Sequence, residues 1–280
     1  MISAAIFTLN EEIHLPRCLA SLRACDDVVV VDSLSADRTV EIARAAGARV
    51  FSHAFTGFGD QRTWAFGAIA FRHPWVLVLD ADEWVTPELW EEIRRRTAAA
   101  SPEVAAFRLK RRFFWEGRPL RRANLYPSWV VRLVRPERVR YLNRGHAETQ
   151  EVAGRTESLE EDLFDENLKG LAEWRSRQAR YAEEEARFEA SDRSPLRARD
   201  LLSRDPLARR AVLKRLARRF PARGVAWFLY AAVWRGGFLD GRIGLRFCLE
   251  KARFQQQIQR RAAELRRARA EARPEVGGRK

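Results

Sequence analysis

Val76-Leu77-Val78-Leu79 runs straight into Asp80-Ala81-Asp82-Glu83-Trp84. This stretch constrains the fold more than any other. A short unbroken apolar run with β-branched residues is a strand covered on both faces, as in a parallel or mixed α/β sheet. The acids then stand at its carboxyl end, the edge where open α/β sheets place their ligands. Asp80 and Asp82 are two positions apart, and a strand end need not stay in strict pleat, so both can serve one site. Paired hard oxygen donors suit Mg²⁺ or Mn²⁺, and such an ion usually carries a substrate's phosphates. The other reading is an acidic turn that caps a helix beginning at Pro87-Glu88-Leu89-Trp90.

The chain before this strand has a β-α-β-α-β rhythm. Ile2 to Leu9 reads as a strand with Asn10-Glu11-Glu12 at its carboxyl end. Ile13, Leu15, Cys18, Leu19 and Leu22 recur at helical spacing, and Pro16 places the helix start. Val28 to Val31 is a second buried strand, ending in Asp32-Ser33-Leu34-Ser35-Ala36-Asp37-Arg38-Thr39. Ser35 or Asp37 can cap the helix Thr39–Ala46, which Gly47 closes. Arg49-Val50-Phe51 is a third strand. Gly57-Phe58-Gly59-Asp60 is expected to break the chain before a helix from Gln61 to Phe71. The rhythm predicts a parallel sheet with right-handed crossovers. No G-x-G-x-x-G follows the first strand, so the usual dinucleotide fold is excluded. Three strand ends carry polar groups at one sheet edge: Thr8, Asn10 and Glu11; Asp32, Ser35 and Asp37; Asp80 and Asp82.

Thr8-Leu9-Asn10-Glu11, Asp32 to Thr39, Gln61-Arg62 and Asp80-Ala81-Asp82-Glu83 together resemble the family 2 glycosyltransferases of GT-A fold, over residues 1 to about 150. The likeness is to the bacterial branch that builds lipopolysaccharide core and related cell-surface glycans. It implies an α/β, Rossmann-like mixed sheet flanked by helices, and inverting transfer from a nucleoside-diphosphate sugar, a UDP-sugar being the first expectation. Thr8, Asn10 and Glu11 would line the nucleotide pocket. Asp32 would hydrogen-bond the base, with Ser35 and Asp37 supporting its loop. Asp80 would contact the ribose or the metal, Asp82 the metal, and Arg62 would lie near the nucleotide sugar. Trp64 departs from the pattern, since many relatives carry a small polar residue there.

Displacing a sugar from a diphosphate builds negative charge on the leaving group, which a divalent cation stabilises. The attacking hydroxyl needs a general base on the opposite face of the sugar. Asn143-Arg144-Gly145-His146-Ala147-Glu148-Thr149 lies where the branch carries His and Glu together. The resemblance implies Glu148 as the base, although the spacing here is His-Ala-Glu rather than adjacent. His146 is the competing candidate, or a structural histidine. Residues 105–109 and 129–134 read as half-buried strands. The basic, aromatic run Arg111 to Arg118 between them is either an exposed hairpin or an acceptor-binding loop. Leu159 to Glu166 reads as an acidic surface segment, and Asn167 to Phe188 as a long helix.

Charge divides the chain. Residues 1–194 hold 29 basic and 31 acidic side chains, net −2, whereas residues 195–280 hold 23 and 7, net +16. The high pI, about 10.7, therefore belongs to the tail. There the apolar run Val225–Trp234 is half the length a membrane span needs. Arginines bracket it, a turn Arg235-Gly236-Gly237-Phe238-Leu239-Asp240-Gly241 follows, and a helix is expected from Ile243 to Leu265. Basic helices bearing Trp, Phe and Leu suit an anionic membrane interface; the alternative is that they pack on the catalytic domain. The expected layout is a GT-A domain over 1–160, a helical connection over 161–194, a basic membrane-associating extension over 195–270 and a disordered tail over 271–280.

Cys18, Cys25 and Cys248 make no disulfide framework and no zinc pattern. The first residues lack a basic region with a cleavage site. Both fit a reduced, cytoplasmic compartment. With the basic extension, the expectation is a protein peripheral on the inner face of the membrane, and the resemblance implies a glycan or glycolipid acceptor, with no nucleic-acid partner expected. Two further function classes remain open on the residues alone. One is an Asp-based phosphatase or phosphotransferase, whose Asp-x-Asp also follows a buried strand. The other is a non-enzymatic basic adaptor for membrane or nucleic acid.

Overall fold

The structure is a computed structural model. It describes residues 1–144, 147–192 and 220–271, together with 209, 212, 216 and 218; at 143, 144, 147, 148, 270 and 271 it describes the backbone only. The chain divides into two compact units, Met1–Leu171 and Ala172–Lys280.

The first unit is built on one mixed sheet. Strands β1 (Ile2–Thr8), β2 (Val28–Asp32), β3 (Arg49–Ser52) and β4 (Trp75–Asp80) are parallel, in the order β3-β2-β1-β4. Helices α1 (Leu15–Ser21), α2 (Thr39–Ala45) and α3 (Phe58–Ala68) connect them. After β4 come β5 (Glu83–Trp84), helix α4 (Pro87–Ala98), β6 (Val104–Trp115), β7 (Arg118–Pro119) and β8 (Ser128–Val134). β8 lies antiparallel between β4 and β6. A separate hairpin, β9 (Val139–Arg144) with β10 (Ala147–Val152), precedes β11 (Arg155–Glu166), which pairs parallel to β6 and antiparallel to β5.

The apolar runs are unbroken because both faces of the sheet are covered. Ile2, Ala4 and Ile6 of β1 and Leu77 and Leu79 of β4 join Leu15, Cys18, Leu89 and Ile93 on one face. Ala5, Phe7, Val76 and Val78 join Ala65, Ile69 and Tyr141 on the other. Each large side chain so buried contributes roughly 1.5–3 kcal/mol relative to exposure.

The structure corrects several expectations. Gly57 to Asp60 does not break the chain: α3 begins at Phe58, with Gly57 in extended conformation before it, and ends at Ala68 rather than Phe71. The acids after β4 do not cap α4. Thr86 does, its hydroxyl accepting from Leu89 N–H at 3.2 Å, with Pro87 in the first turn. The run Arg111 to Arg118 is a hairpin, one of its two readings, but a half-buried one: β6 continues to Trp115, the chain turns at Glu116-Gly117, and β7 pairs back with Trp115 opposite Arg118. Leu159 to Glu166 is the end of β11, not a surface segment, and its Leu159 and Leu163 are fully buried.

The placement of these last two stretches has one cause. β6 is basic and β11 is acidic, and their side chains meet. Arg108 Nε donates to Ser158 Oγ at 2.8 Å, Arg112 pairs with Asp162, Lys110 with Glu160 at 3.7 Å and Arg111 with Asp165 at 3.4 Å. Opposite charges facing across paired strands stabilise the pairing.

The second unit is helical. α5 (Gly170–Ser191) leads into it. It is followed by α6 (Arg223–Phe228), a π-helical turn (Leu229–Trp234), a 3₁₀ turn (Gly237–Asp240) and α7 (Gly241–Glu271). Ala182 and Ala186 of α5 pack on Phe254, Ile258 and Ala262 of α7. Arg175–Glu250 at 2.5 Å and Glu183–Arg261 at 2.6 Å rise together along the two helices, so they run parallel. Gly224 lets α6 approach α7: a Cβ there would meet Ala252 O at 2.7 Å. α7 begins two residues before the expected Ile243 and runs six beyond Leu265. Most of residues 193–219, all of 272–280, and residues 145 and 146 lie outside the described residues, so the expected start of the basic extension falls there, as does the expected tail over 271–280 apart from Glu271, which ends α7. No helix among the described residues is long and apolar enough to cross a membrane.

Candidate functional site

Two loops at the carboxyl edge of β1 and β2 are laced together. Asp32, only 1% exposed, is the anchor. Its Oδ1 accepts from Thr8 Oγ1 at 2.9 Å and Ser35 Oγ at 2.5 Å, and its Oδ2 from Ser35 N–H at 2.8 Å. Asn10 N–H donates to Ser35 Oγ, and Asn10 Oδ1 accepts from Ala36 N–H, both at 2.8 Å. Glu12 N–H reaches Asp37 Oδ2 at 3.1 Å and Glu11 N–H reaches Thr39 Oγ1 at 2.7 Å. Burial pushes the Asp37 carboxyl up, but bonds from Thr39 and the Glu12 N–H outweigh it and hold the group below its ordinary range. Asn10 and Leu34 sit at φ 57° and 63°. Asn tolerates that region, whereas Leu34 does so at a cost in strain, as functional loops often do.

The six polar residues read from the first two strand ends are therefore brought together. Asp32 acts by ordering the loop rather than by lying open. The Glu11 side chain turns elsewhere: Oε2 meets His14 Nδ1 at 2.5 Å and Oε1 meets Lys169 Nζ at 2.8 Å. His14 Nε2 accepts from Leu168 N–H at 2.7 Å, so the ring proton sits on Nδ1 and is donated to Glu11. Glu11 thereby ties the β1–α1 loop to the segment after β11.

The end of β4 is an acid cluster held by arginines. Arg62 Nη2 donates to Asp80 Oδ1 at 2.7 Å. Arg132 Nη2 donates to Asp80 Oδ2 at 2.5 Å and to Glu83 Oε1 at 2.8 Å. Glu83 Oε2 accepts from Asp80 N–H at 3.0 Å. Burial opposes ionisation of Asp80, but Arg132 and Arg62 win and hold its carboxyl well below the usual range. Burial pushes Glu83 the other way, up to about 7, with Arg132 opposing and Asp80 reinforcing. Asp165 on β11 is raised well above a normal aspartate, by burial first and then by the charge of Asp82.

Arg62 is buried to 1% exposure, lying over the Phe7 and Phe58 rings. It stands behind Asp80 as its support. Arg132, Glu83 and Asp165 carried no role in the sequence reading. Arg132 had one signal: a lone charge at the parity of Val130 and Val134 in an alternating strand. Asp165 had none, because its place beside Asp82 follows from β11 pairing with β5. Trp64, the departure from the family pattern, stacks on His53 with ring centroids 4.3 Å apart.

Among the described residues, no group of three or more His, Cys, Asp or Glu is placed to hold a metal by itself. The donor set nonetheless fits a divalent cation shared with a ligand. Asp80, Asp82, Glu83 and Asp165 face Arg62, Arg111 and Arg132, and two of the four carboxyls are driven towards protonation. The cluster thus holds more acid than its arginines compensate, which a cation would relieve. Asp80 is committed to two guanidinium groups and Asp165 to Arg111, so Asp82 and Asp165 are the further oxygen donors beside Asp80 at this strand end. His146 lies outside the described residues. Glu148 is described by its backbone alone, in β10 opposite Asn143 of β9.

A mixed sheet with helices on both faces, whose parallel strands gather polar loops and an acid pair at one carboxyl edge, defines the GT-A class of nucleotide-diphosphosugar transferases. The chain belongs to glycosyl transferase family 2, whose model matches residues 3–162. It is 32% identical over 145 residues to the lipopolysaccharide core biosynthesis glycosyltransferase LpsC of Rhizobium meliloti, covering 50% of this chain and 53% of that protein. It is 41% identical over 93 residues to an uncharacterized glycosyltransferase of Rickettsia conorii, covering 33% and 32%. The chain thus spans about half the length of the first relative and a third of the second. Among solved structures, a mannosyltransferase from Pyrobaculum calidifontis, in complex with GDP-Man and Mn²⁺, shares the fold: TM-score 0.51, 15% identity, covering 95% of this chain and 86% of that one.

Proposed function

We propose that the chain transfers a sugar from a nucleoside-diphosphate sugar to a glycan or glycolipid of the cell envelope, at the cytoplasmic face of the membrane. One observation carries the donor half of this reading. The ordered double loop around Asp32 and the acid-rich end of β4 share one sheet edge, with Thr8 registered against Asp32 and Phe7 against Asp80. A nucleoside needs directed polar groups, and a diphosphate needs compensated charge. The edge supplies both, in adjacent strands. Family membership and the partial likeness to LpsC support the acceptor class.

Asp82 and Asp165 would hold a Mg²⁺ or Mn²⁺ ion, completed by diphosphate oxygens, as such ions prefer. When bound, the ion supplies Lewis acidity to the leaving diphosphate. Arg62 and Arg132 keep Asp80 ionised and fixed before any substrate arrives, so no reorganisation is needed at the moment of reaction. The loop of Asn10, Ser35 and Asp37 positions the nucleoside, with Thr8 and Asp32 setting its shape. Glu148 is the proposed general base and His146 the alternative; a base opposite the leaving group inverts the anomeric centre.

The test is incubation of the full chain with a panel of UDP- and GDP-sugars and Mn²⁺, with and without core glycolipid. Slow hydrolysis of one donor alone, and faster transfer with the glycolipid, is expected. Release of phosphate from simple monoesters with every sugar nucleotide left intact would instead make the chain a phosphatase and overturn the reading.

A further inference from the structure

The second unit has a packed side and an unpacked side. Ala231, Ala232, Phe247 and Cys248 are buried, and Gly224 lets α6 close on α7. If packing were the whole purpose of these helices, arginine would cover their outer side. Instead that side carries Val225, Leu229, Val233, Trp234, Phe238 and Leu239, all exposed. Trp234 is 83% exposed, Val233 61% and Leu239 59%. They lie on α6, the π-helical turn and the 3₁₀ turn, which pack against one another in sequence. Six large apolar side chains in one short segment are more than the scattered exposure normal for a surface.

The charges beside them indicate what covers them. Arg235, Arg242 and Arg246 are exposed along the same segment, while Glu250 is buried and Asp240 half-buried. A second copy of the chain docking through this face about a two-fold axis would set arginine rim against arginine rim, which is repulsive. An anionic lipid surface satisfies both features. Its headgroups take the guanidinium groups, and its acyl boundary takes Trp, Val, Leu and Phe. Tyr230, also exposed, has the amphipathic character of the headgroup level.

We propose that residues 225–249 form a lipid-docking face that seats the π-helical and 3₁₀ turns in the interface of an anionic bilayer without spanning it. This deepens the reading above, on which the lipid-borne acceptor rests, by assigning the residues that reach the membrane.

The experiment is co-sedimentation of the full chain with vesicles of phosphatidylcholine alone, and of phosphatidylcholine mixed with phosphatidylglycerol. Two variants accompany it: V233S/W234S/L239S and R235Q/R242Q/R246Q. The altered side chains are exposed, and unchanged circular dichroism and melting confirm folding. Wild type is expected to prefer the mixed vesicles. The arginine variant should lose about a hundredfold in affinity for them, because each of the three basic groups near an anionic surface contributes about a factor of five. The apolar variant should lose roughly a hundredfold or more on both vesicle types. High salt should weaken wild type only in part, since it screens charge and leaves apolar insertion intact. The proposal is overturned if wild type binds no vesicle, or if the apolar variant binds as wild type does. It is also overturned if sedimentation velocity shows a wild-type dimer that only the apolar variant dissolves, which would make the partner a second copy. Donor hydrolysis measured without vesicles separates the two readings. Intact hydrolysis with failed lipid binding sinks the docking face alone, and the reverse sinks the donor chemistry alone.

Discussion

Arg132 of β8 donates to Asp80 Oδ2 at 2.5 Å, across the strand boundary where the sheet turns from parallel to antiparallel. The same nitrogen reaches Glu83 Oε1 at 2.8 Å, so one guanidinium serves two acids on either side of Ala81 and Asp82. The turn that presents Asp82 is thereby held from behind. For the proposed donor site this is pre-organisation: the acid pair would be set before a ligand binds.

Replacing Arg132 with Met should therefore harm both stability and function. Removing one partner of a buried ion pair leaves uncompensated charge, typically costing ~3–5 kcal/mol. Urea denaturation should show that loss. Arg132→Lys should retain part of the stability, because it restores the charge without the two-way fork. A wild-type midpoint in the Met variant would contradict the role assigned to Arg132.

Asp82→Asn should leave the fold intact and weaken the proposed cation site. Even partners behind a metal ligand typically matter by about 10–100-fold in affinity, so loss of an anionic ligand should cost at least on the order of tenfold. Calorimetry of UDP binding with and without Mn²⁺ measures it. Equal Mn²⁺-dependent affinity in both proteins would remove Asp82 from the site.

Glu148→Gln should preserve donor binding and lower turnover by ~10²–10⁴-fold, as expected when a general base is removed from a formed site. Single-turnover transfer beside equilibrium donor binding separates the two effects. An active Glu148→Gln with a dead His146→Ala would move the base to His146.

The far edge of the sheet gives a pH prediction. Asp27 is buried, accepting from Ser3 Oγ at 2.5 Å, Arg49 Nε at 3.0 Å and Arg72 N–H at 2.9 Å. Burial pushes its carboxyl up, but these donors outweigh it and hold the group below its ordinary 3.8. A folded-state value below the unfolded one means the unfolded chain takes up the proton first as pH falls. The stability that Asp27 supplies is complete above about 3.8 and is lost below it, down through the folded-state value. Asp27→Asn should flatten this acid limb in a series of urea midpoints against pH. An unchanged limb would show that Asp27 does not drive it.

Much of the parallel half of the fold, and of the candidate site, was legible in the sequence because it is local. β1, β2 and β4 are apolar runs followed at once by their polar loops, so period and turn chemistry place Thr8, Asn10, Asp32, Ser35, Asp80 and Asp82 on one edge. Helix ends were less legible, and α3 began three residues before its expected start because Gly59 enters the helix while Gly57 stays extended just before it. What the tertiary structure alone decided is how distant stretches meet. The basic run in β6 read as an exposed hairpin or an acceptor-binding loop, and the acidic run in β11 as a surface segment. Each is the other's partner, at separations near 50 residues. Parallel pairing at that range leaves no local period to read. The same holds for Arg132, whose sequence neighbours mark only a strand, and for Asp165, which gains its character from Asp82. Burial and charge compensation depend on which groups the folded chain brings within a few ångströms, and that is settled only when the sheet closes.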